Sequence, residues 1–467
     1  MPEFERLAAA RLAAHPWPAP ALAALERLRA GGHQAYLVGG ALRDVLLGRP
    51  GDEFLDVATD RRPQEVMALF PRNEPIGIAH GTVLVMLEGL GFECTTFRRE
   101  GAYADARHPD DVEFTSDLRA DLARRDFTVN ALAYDPLSGV LVDPHGGLSD
   151  LENRCLRAVG EPLARFREDA LRPVRAARFV ATLEFELEPA TRAALGGVVD
   201  RARLVAPERA RAELEKLMGA RRPSVGLELL REAGLLDLWM PELTRCYAVP
   251  QNRWHAYDVY THSLETCDHA PPGKAVVRWA ALLHDIGKPD TRVERRGDGT
   301  FYSHERVGAE LADRVLERLR FPGAQRAEIV RLVREHMFDY RAEWSDAAVR
   351  RWVRRVGEAA VADLFDLRIA DMLGNGLKTG FPAQLEPLRR RIERVLAGSH
   401  ALRVGDLAVD GRDVMESLGV GPGPAVGEAL EALLEEVIEE PGRNTRERLL
   451  MRLAEWRAPR ASTPGGA

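Results

Sequence analysis

The sequence predicts a multidomain α+β protein, in which a small α/β head with a mixed sheet precedes a mostly α-helical body. Three observations support this prediction. Apolar segments of strand length, separated by glycine-rich turns, occur almost only before residue 126. Beyond that point, apolar residues recur with helical spacing between proline and glycine interruptions. The 467 residues exceed what one hydrophobic core organises, which indicates about two to four domains.

The elements of the predicted head follow one another closely along the chain. Residues 1–30 are rich in Ala and Leu and predict one helix, and the segment Gln34–Val38 predicts a buried strand. A helix is predicted over residues 41–48, and the polar segment Arg98–Asp117 predicts a mobile loop. The other segments with the apolar character of strands are Phe54–Ala58, Thr82–Leu87, Phe92–Phe97 and Val140–Val142.

Composition shifts and proline- or glycine-rich segments divide the chain into predicted domains. They are a head over residues 1–140, a helical neck over 141–225, a helical domain over 226–400, a helical tail over 401–457 and a disordered end over 458–467. The last segment contains small residues and proline, which is typical of a frayed terminus.

Composition excludes several classes of protein. The 45% apolar and 29% charged residues are ordinary for a soluble protein. No apolar segment could span a bilayer and no signal peptide precedes the chain, so we expect a cytoplasmic protein without a membrane partner. The cysteines show no C-x-x-C spacing, which favours reduced thiols. The net charge of -7 argues mildly against nucleic-acid binding, although a local basic face can override it, and nothing specifies an oligomeric state.

A glycine pair follows the first predicted strand and opens the next helix. Gly39 and Gly40 would let a phosphate approach the backbone, and the helix would offer N–H groups and its dipole. Arg43, just inside this helix, adds a cation for a triphosphate. Asp56 and Glu93 fall on separate predicted strands, where carboxylates can hold Mg²⁺. The combination predicts a phosphoryl-transfer site, whereas each feature alone is common in turns and at solvated strand ends.

In order along the chain, these residues and later motifs resemble the class II tRNA nucleotidyltransferases, which include CCA-adding enzymes and bacterial poly(A) polymerases. The matching segments are Gly39–Arg49, Asp56–Thr59, Glu93–Arg98, Tyr103–Arg107, Arg124–Ala131 and Glu168–Phe179. Because the blocks keep their order over most of residues 30–220, chance explains them poorly. A glycine-rich segment before the last long helix also resembles the family's tail, which contacts the tRNA elbow.

The resemblance implies a template-independent transferase that adds C and A to the tRNA 3′ end from CTP and ATP with Mg²⁺. It implies that Asp56, Glu53 and Glu93 are catalytic and that Glu53 and Asp56 bind the metal. The implied nucleotide-binding residues are Gly39, Gly40 and Arg43 for the triphosphate, Arg125, Asp126 and Asn130 for sugar and phosphates, and Asp169, Arg172, Arg175 and Arg178 on the helix that selects the base.

One segment departs from the family pattern of Asp-x-Asp before a hydrophobic-Ala-Thr sequence. Asp56 matches the second carboxylate, but Phe54 stands in place of the first. Counting from the preceding Gly-Arg pair puts Glu53 at that position, with one extra residue before Asp56. A β-bulge could turn Glu53 back toward the metal. We therefore expect Glu53 to act with Asp56 and keep Asp52 as the reserve ligand.

The base-selecting pair can be argued from helix geometry. Asp169 and Arg172 are three residues apart, which places them on one face of a predicted helix. A carboxylate beside a guanidinium presents acceptors and donors in one plane, as the edge of a paired base does. Without the family resemblance, an exposed ion pair worth under about 1 kcal/mol would be the preferred interpretation.

A second pattern, of histidines and aspartates, lies in the predicted domain over residues 226–400. Its members are His262, His284, Asp285, His304, His336 and Asp371. Imidazole and carboxylate ligands together suit a divalent transition metal such as Mn²⁺ or Ni²⁺ better than Mg²⁺. A lone buried histidine is more often a hydrogen-bonded core residue, but this ordered set resembles the HD phosphohydrolase superfamily.

The HD resemblance assigns expected roles to these residues. It implies metal ligation by His262, His284, Asp285 and Asp371, and phosphate or second-metal binding by Lys288, His304 and His336. The implied chemistry is that of a phosphatase and 2′,3′-cyclic phosphodiesterase, which would clean damaged RNA 3′ ends before extension.

Three alternatives remain beside full CCA addition. A split-function relative would add only the terminal A or only CC, although the loop after Phe97 has full length, which mildly disfavours a CC-only enzyme. A poly(A) polymerase is disfavoured because the tail lacks an extended basic region. The irregular segment before Asp56 best supports the third, an HD phosphohydrolase whose head merely binds RNA.

Overall fold

The computed structural model of the protein describes residues 3–50, 55–78, 81–100, 112–295, 298–380, 382–397 and 401–457. Two compact units make up this part of the chain. The first unit comprises Met1–Arg245 with Val315–Phe321, and the second comprises Cys246–Arg314 with Pro322–Ala467. Within the described ranges, no helix combines the length and the apolar character that crossing a membrane requires.

The head of the first unit is built on a mixed sheet. Its strands are β1 (Ala35–Val38), β2 (Leu55–Thr59), β3 (Asn73–Gly77), β4 (Thr82–Leu87), β5 (Leu90–Thr96), β6 (Arg98–Glu100), β7 (Val112–Phe114), β8 (Ala133–Asp135) and β9 (Val140–Val142). The seven-stranded sheet has the order β3-β4-β5-β2-β1-β8-β9, and β6 pairs with β7 separately. The helices around it are α1 (Glu3–Ala14), α2 (Ala19–Arg29), α3 (Gly40–Leu47), α4 (Pro63–Leu69) and α5 (Leu118–Ala123).

Strand β2 occupies the centre of this sheet. It runs antiparallel to β1 and parallel to β5, and the pairing sets Asp56 beside Val38 on one side and Glu93 on the other. Val57 and Ala58 are fully buried, which explains the apolar residues that flank Asp56. The parallel register therefore brings two carboxylates that are distant in sequence onto adjacent strands.

A helical region completes the first unit. Its elements are α6 (Gly147–Glu152), β10 (Cys155–Leu156), α7 (Pro162–Glu168), α8 (Arg172–Leu183), β11 (Glu186–Leu187), α9 (Pro189–Ala194), α10 (Val199–Ala202), α11 (Pro207–Met218), α12 (Pro223–Glu232) and α13 (Pro241–Thr244). Helix α8 packs against α11 and α12 through small and apolar residues. Gly226 permits this approach, because an added Cβ would lie 2.6 Å from the Ala177 carbonyl oxygen.

Within its described residues, the second unit is helical apart from one hairpin, and the last residues of α17 belong to the first unit. Its elements are α14 (Val259–His269), α15 (Ala275–Leu283), α16 (Lys288–Thr291), β12 (Arg292–Arg295), β13 (Asp298–Phe301), α17 (His304–Arg318), α18 (Gly323–Glu335), α19 (Asp346–Val356), α20 (Val361–Gly374), α21 (Leu385–Leu396), α22 (Gly411–Leu418), α23 (Pro424–Glu439) and α24 (Arg446–Arg457). Helix α15 packs against α14, α18 and α20, and its apolar residues Trp279–Leu283 are fully buried.

The predicted fold class is confirmed, with differences in individual elements. The single helix predicted for residues 1–30 is wrong, because Pro16 and Pro18 separate α1 from α2. The prediction that strands nearly end at residue 126 also misses β8 and the hairpin β12–β13. Strand β3 escaped detection because Asn73–Gly77 contains Pro and Gly, which are tolerated at the edge of the sheet.

The segment Arg98–Asp117, predicted as a mobile loop, begins and ends with ordered backbone. Strands β6 and β7 pair antiparallel, with Arg98 opposite Phe114. Residues 101–111 lie outside the described residues, and so do Tyr103, Asp105 and Arg107 of the resemblance. The ordered ends show that the two flanks of this segment are held together next to the sheet.

Candidate active sites

The carboxylates Asp56 and Glu93 lie side by side at a cavity in the first unit. Their Cα positions are partners in the parallel ladder between β2 and β5. Gly39 ends β1 with φ 75°, and a Cβ added there would lie 3.0 Å from Asp56 Oδ2 and 3.3 Å from Arg125 Nη1. Glycine is therefore required at residue 39 both by its backbone conformation and by the carboxylate packed against it.

The cavity beside these carboxylates has a volume of about 310 Å³ and a strongly charged lining. Its lining residues are Val38, Asp56, Val57, Glu93, Thr95, Arg124, Arg125, Asp126, Asp169, Arg172 and Arg175. Seven residues predicted from the sequence thus meet in one place, and they include both carboxylates and both members of the base-selecting pair. Guanidinium groups opposite carboxylates form the kind of surface that binds a metal-complexed triphosphate.

Arg43 does not line this cavity, contrary to the prediction that it supplies a cation to the triphosphate. Its side chain is buried and forms two hydrogen bonds of 2.9 Å with Asp44. Arg43 Nη1 donates a third hydrogen bond, of 2.7 Å, to Asn130 Oδ1, and the guanidinium lies over the Phe179 ring. With three of its five donors engaged in this way, Arg43 orients Asn130 in this structure.

Asp126 links the head to helix α8 through its hydrogen bonds. It accepts two hydrogen bonds from Arg175, of 2.9 and 2.7 Å, and one of 3.1 Å from Asn130. Burial opposes ionisation, but the charge of Arg175 and these hydrogen bonds hold the pKa of Asp126 well below its usual value. Arg175 and Arg178 also share Glu213, so Arg178 is held behind the cavity lining.

Asp169 and Arg172 do not share a helix face, so the predicted helix geometry is wrong. Helix α7 ends at Glu168 and α8 begins at Arg172, with Asp169 in extended backbone between them. Its Oδ1 accepts a hydrogen bond of 3.0 Å from the Leu171 N–H, which stabilises the turn. Pro173 adds to the break, because it has no N–H to donate to the Asp169 carbonyl oxygen.

Each member of the base-selecting pair has another charged partner. Arg209 of α11 donates a hydrogen bond of 2.8 Å to Asp169 Oδ2, and Arg172 pairs with Glu168 at 2.5 Å. Sequence reasoning missed Arg209 because a contact over 40 residues leaves no local signal. Both Asp169 and Arg172 still line the cavity, so a base bound there would meet their polar groups.

The departure from the family pattern falls just before the first described residue of β2, Leu55. Asp52, Glu53 and Phe54 lie outside the described residues, as does the predicted β-bulge. The metal-binding role of Glu53 therefore stays a prediction, and the described carboxylates at this cavity are Asp56, Glu93, Asp126 and Asp169.

The second unit gathers all six histidines and aspartates of the HD pattern. Asp285 is central, with each carboxylate oxygen facing a different pair of imidazoles. Oδ2 lies 3.3 Å from His262 Nε2 and 3.1 Å from His284 Nε2. Oδ1 lies 3.3 Å from His304 Nε2 and 3.8 Å from His336 Nε2. Two groups that could each hold a metal ion therefore share Asp285.

Asp371 and Lys288 complete the first of these groups. Asp371 Oδ1 lies 3.2 Å from His262 Nε2, and Arg368, one turn earlier on α20, holds its Oδ2 at 2.9 Å. Lys288 Nζ lies 2.6 Å from Asp285 Oδ2. Burial opposes ionisation of Asp371, but His262, His284 and Arg368 keep its pKa far below the usual value.

The backbone orients all four imidazoles in the same way. Each Nδ1 lies within 3.2 Å of a main-chain carbonyl oxygen, which leaves Nε2 facing Asp285. The pairs are His262 with Gly374, His284 with Ala281, His304 with Phe301 and His336 with Val333. Metal-ligating histidines commonly donate their other ring N–H to a carbonyl. The donor set and its orientation therefore fit a divalent transition metal.

The imidazoles differ in proton affinity in spite of this common orientation. Burial opposes the charged form of His262, but hydrogen bonds with Asp285 and Asp371 raise its pKa to about 9. Burial and the neighbouring His284 lower the pKa of His336 to about 3. A metal must therefore displace a proton from His262, whereas His336 offers a lone pair at neutral pH.

Glycine at residue 287 allows the two halves of this centre to meet. A Cβ on Gly287 would lie 2.3 Å from the His304 carbonyl oxygen and 2.5 Å from the Gly308 nitrogen. We expect Gly287→Ala to separate α16 from α17, costing about 1–3 kcal/mol of stability. The displaced Asp285 should weaken Mn²⁺ or Ni²⁺ binding by about 10- to 100-fold. Calorimetric unfolding and metal titration of the full-length protein measure both effects.

The matched control is Gly273→Ala, in the same unit, where an added Cβ meets nothing within 4 Å. Equal effects of the two substitutions on metal affinity would contradict the packing argument.

The two sites together define a nucleotidyltransferase head joined to an HD domain. The family model described as "Poly A polymerase head domain" matches residues 35–157, and "HD domain" matches residues 254–376. A third, "Probable RNA and SrmB- binding site of polymerase A", matches residues 184–247 between them.

Similar proteins agree with this class. A CCA-adding enzyme of Geobacillus stearothermophilus is 35% identical over 93% of this chain and 96% of its own length. An A-adding tRNA nucleotidyltransferase of Deinococcus radiodurans is 38% identical over 86% of this chain and 91% of its own length. The crystal structure of Bacillus stearothermophilus CCA-adding enzyme in complex with CTP superposes with a TM-score of 0.69 and 31% sequence identity. The match covers 94% of this chain and 96% of that one. The chain belongs to the CCA-adding enzyme family of tRNA nucleotidyltransferases.

Proposed function

We propose that this enzyme adds C and A, without a nucleic-acid template, to the 3′ end of tRNA from CTP and ATP. The observation that carries the proposal is one cavity that contains a paired Asp56 and Glu93 together with Asp169 and Arg172. The first pair supplies carboxylates for phosphoryl transfer, and the second supplies a base-sized set of donors and acceptors. The relatives' names and the bound CTP in the related structure support the same chemistry.

In the proposed reaction the RNA 3′-oxygen attacks the α-phosphorus of the nucleotide. The bond from the α-phosphorus to the bridging oxygen breaks, pyrophosphate leaves, and the hydroxyl proton is released. Arg124, Arg125 and Arg175 line the cavity where the triphosphate charge would lie. Asp126 keeps Arg175 in place through its two hydrogen bonds. Asn130 is buried and does not line the cavity, so its proposed part in holding the sugar would be indirect, through its hydrogen bonds with Arg43 and Asp126.

The carboxylates fit Mg²⁺, because hard oxygen donors on rigid strands are its preferred protein ligands. Asp56 and Glu93 would hold the ion, with Glu53 as the predicted further ligand. When bound, Mg²⁺ supplies positive charge that favours attack and stabilises the leaving pyrophosphate. The protein's own part is to keep both carboxylates on adjacent strands, with Gly39 leaving space for the Asp56 side chain.

We expect Asp169→Ala to relax base selection without preventing catalysis. Loss of the carboxylate removes an acceptor at the cavity and leaves Arg209 without this partner. Discrimination of CTP against UTP should fall by about 10- to 100-fold, because polar groups that pair with a substrate carry much of its specificity. Steady-state kcat/KM for the two nucleotides measures the change, and Glu184→Ala in the same unit is the control. Unchanged preference for CTP would overturn the role of Asp169.

A narrower activity, addition of the terminal A alone, is the second candidate. The A-adding relative of Deinococcus radiodurans is 38% identical over 91% of its length, against 35% for the full-length CCA-adding relative. Transcripts that end at successive positions separate these candidates, because an A-adding enzyme extends only an RNA that already ends in CC.

We further propose that the HD domain is an active phosphohydrolase acting on RNA 3′-phosphates and 2′,3′-cyclic phosphates. The complete ligand set, with four oriented imidazoles around Asp285, supports this second activity. In the monoesterase reaction a water oxygen attacks phosphorus, the bond from phosphorus to the 3′-oxygen breaks, and a water proton ends on that oxygen. Asp285 would orient the water and Lys288 the phosphate.

His262, His284, Asp285 and Asp371 would hold a divalent transition metal in this centre. When bound, the ion lowers the pKa of water and polarises the phosphate. His304 and His336 have the same orientation toward Asp285 as the other imidazoles, which favours a second metal over a phosphate contact. Release of phosphate from a 3′-phosphorylated RNA, lost with a chelator and restored by Mn²⁺ or Ni²⁺, tests this activity.

A further inference from the structure

A cavity of about 400 Å³ opens beside the histidine–aspartate cluster, within the size range of small-molecule sites. Its lining combines two kinds of side chain. Tyr302 and Met337 are exposed and largely apolar, and Lys288, Arg368 and Lys378 are cations. A simple phosphate site needs only the cations, so the exposed apolar side chains require a further explanation.

The position of Tyr302 is set by the hairpin that precedes α17. Strands β12 and β13 pair antiparallel, with Arg292 opposite Phe301. After β13 the chain turns through Tyr302 and Ser303 to the buried His304. Tyr302 is 65% exposed, and Met337, directly after His336, is 55% exposed. Both residues line the cavity, and His304 and His336, which are close to them in sequence, belong to the ligand cluster. The structure therefore presents an aromatic ring and a thioether next to the group of Asp285, His304 and His336.

Two of the three cations contact carboxylates of the histidine–aspartate cluster. Lys288 contacts Asp285 Oδ2, and Arg368 contacts Asp371 Oδ2, at 2.6 and 2.9 Å. Lys378 also lines the cavity and is exposed. A bound molecule that matches this lining has a flat apolar part, a reactive phosphate at the cluster and a further negative charge near Lys378.

We propose that this cavity takes the 3′-terminal nucleotide of a single-stranded RNA, with its base stacked on Tyr302 and its 5′-side phosphate at Lys378. The inference rests on the proposed hydrolase activity and specifies its substrate. Stacking against an aromatic side chain tolerates any base but requires that the base be unpaired. The domain would thus select a frayed RNA end over a simple phosphate ester or a paired terminus.

The test uses the full-length protein with Mn²⁺ and three phosphate donors. They are a 3′-phosphorylated tetraribonucleotide, the same molecule without its terminal base, and glycerol 2-phosphate, which has no ring. We expect removal of the base to raise KM by about 5- to 150-fold with little change in kcat. Tyr302→Ala should cause the same rise for the intact RNA and no further rise for the abasic RNA, whereas Tyr302→Phe should behave as the wild type.

Two further variants localise the effect. Tyr247→Ala removes an exposed aromatic side chain of the same unit that lies outside the cavity lining, so it should leave KM unchanged. Lys378→Gln should raise KM for the tetranucleotide but not for a nucleoside 3′-phosphate, and should reduce the slope of log KM against log salt by about 1.

The outcomes separate this inference from the activity on which it rests. Equal KM values for intact and abasic RNA, or an equal effect of Tyr302→Ala on both, would overturn base stacking while the hydrolase stands. Absence of hydrolysis with every donor, glycerol 2-phosphate included, would overturn the hydrolase and the inference together.

Discussion

We expect Asp56→Ala to reduce nucleotide addition by at least about a thousandfold and to leave the proposed phosphate release by the HD domain unchanged. The reduction is expected because Asp56 pairs with Glu93 at the centre of the sheet, and loss of either carboxylate would remove part of the charge that we propose holds Mg²⁺. A metal that stabilises the transition state contributes several kcal/mol, and each 1.4 kcal/mol corresponds to about tenfold in rate.

The measurement is single-turnover incorporation of labelled CTP or ATP, with phosphate release from a 3′-phosphorylated RNA followed in the same preparation. Glu74→Ala, at an exposed position on the edge strand β3, is the matched control. Residual addition within tenfold of the wild type would show that Asp56 is not a metal ligand of the transferase.

We expect the reciprocal result from Asp285→Asn, with the proposed hydrolysis reduced by at least about a thousandfold and nucleotide addition retained. Each oxygen of Asp285 faces a separate pair of imidazoles, so this substitution removes charge from both candidate metal groups. Asparagine keeps the shape of the side chain, which limits disturbance of the buried cluster. Loss of the metal should raise the activation barrier by several kcal/mol, which corresponds to the thousandfold reduction in rate.

Metal content of the purified variant, measured by mass spectrometry, gives a readout that does not depend on activity. Asp339→Asn, at an exposed position in the same unit, should bind and hydrolyse as the wild type. Full hydrolysis by Asp285→Asn would place the hydrolytic centre elsewhere, and simultaneous loss of nucleotide addition would indicate a folding defect.

Sequence patterns predicted the site residues that belong to short regular segments. The alternation around Asp56 and Glu93 indicated strands, and the parallel pairing of β2 and β5 then brings both carboxylates together. The ordered histidines and aspartates predicted a cluster in the second unit, and all six members meet there. In these cases local periodicity and motif order carry the information.

Other features depended on contacts that no local pattern encodes. The burial of Arg43 follows from Asn130 and Phe179, both distant in sequence. The break at Asp169 depends on a side-chain hydrogen bond to Leu171, which helical spacing does not reveal. Arg209 and Tyr302 reach their positions only through the packing of separate elements. These long-range contacts set the positions of individual side chains at the two sites, whereas the sequence motifs specify the chemistry of the sites.

The most direct test of the central claim is an incorporation assay on tRNA transcripts that end at the discriminator base, at C or at CC. Purified wild-type protein receives Mg²⁺ with CTP, ATP or both, and the products are resolved at single-nucleotide length. Extension of all three transcripts to CCA is the predicted result, with C added before A and no addition of UMP. Extension of only the CC-ended transcript would restrict the enzyme to A addition, and no extension of any transcript would contradict the transferase function of the head.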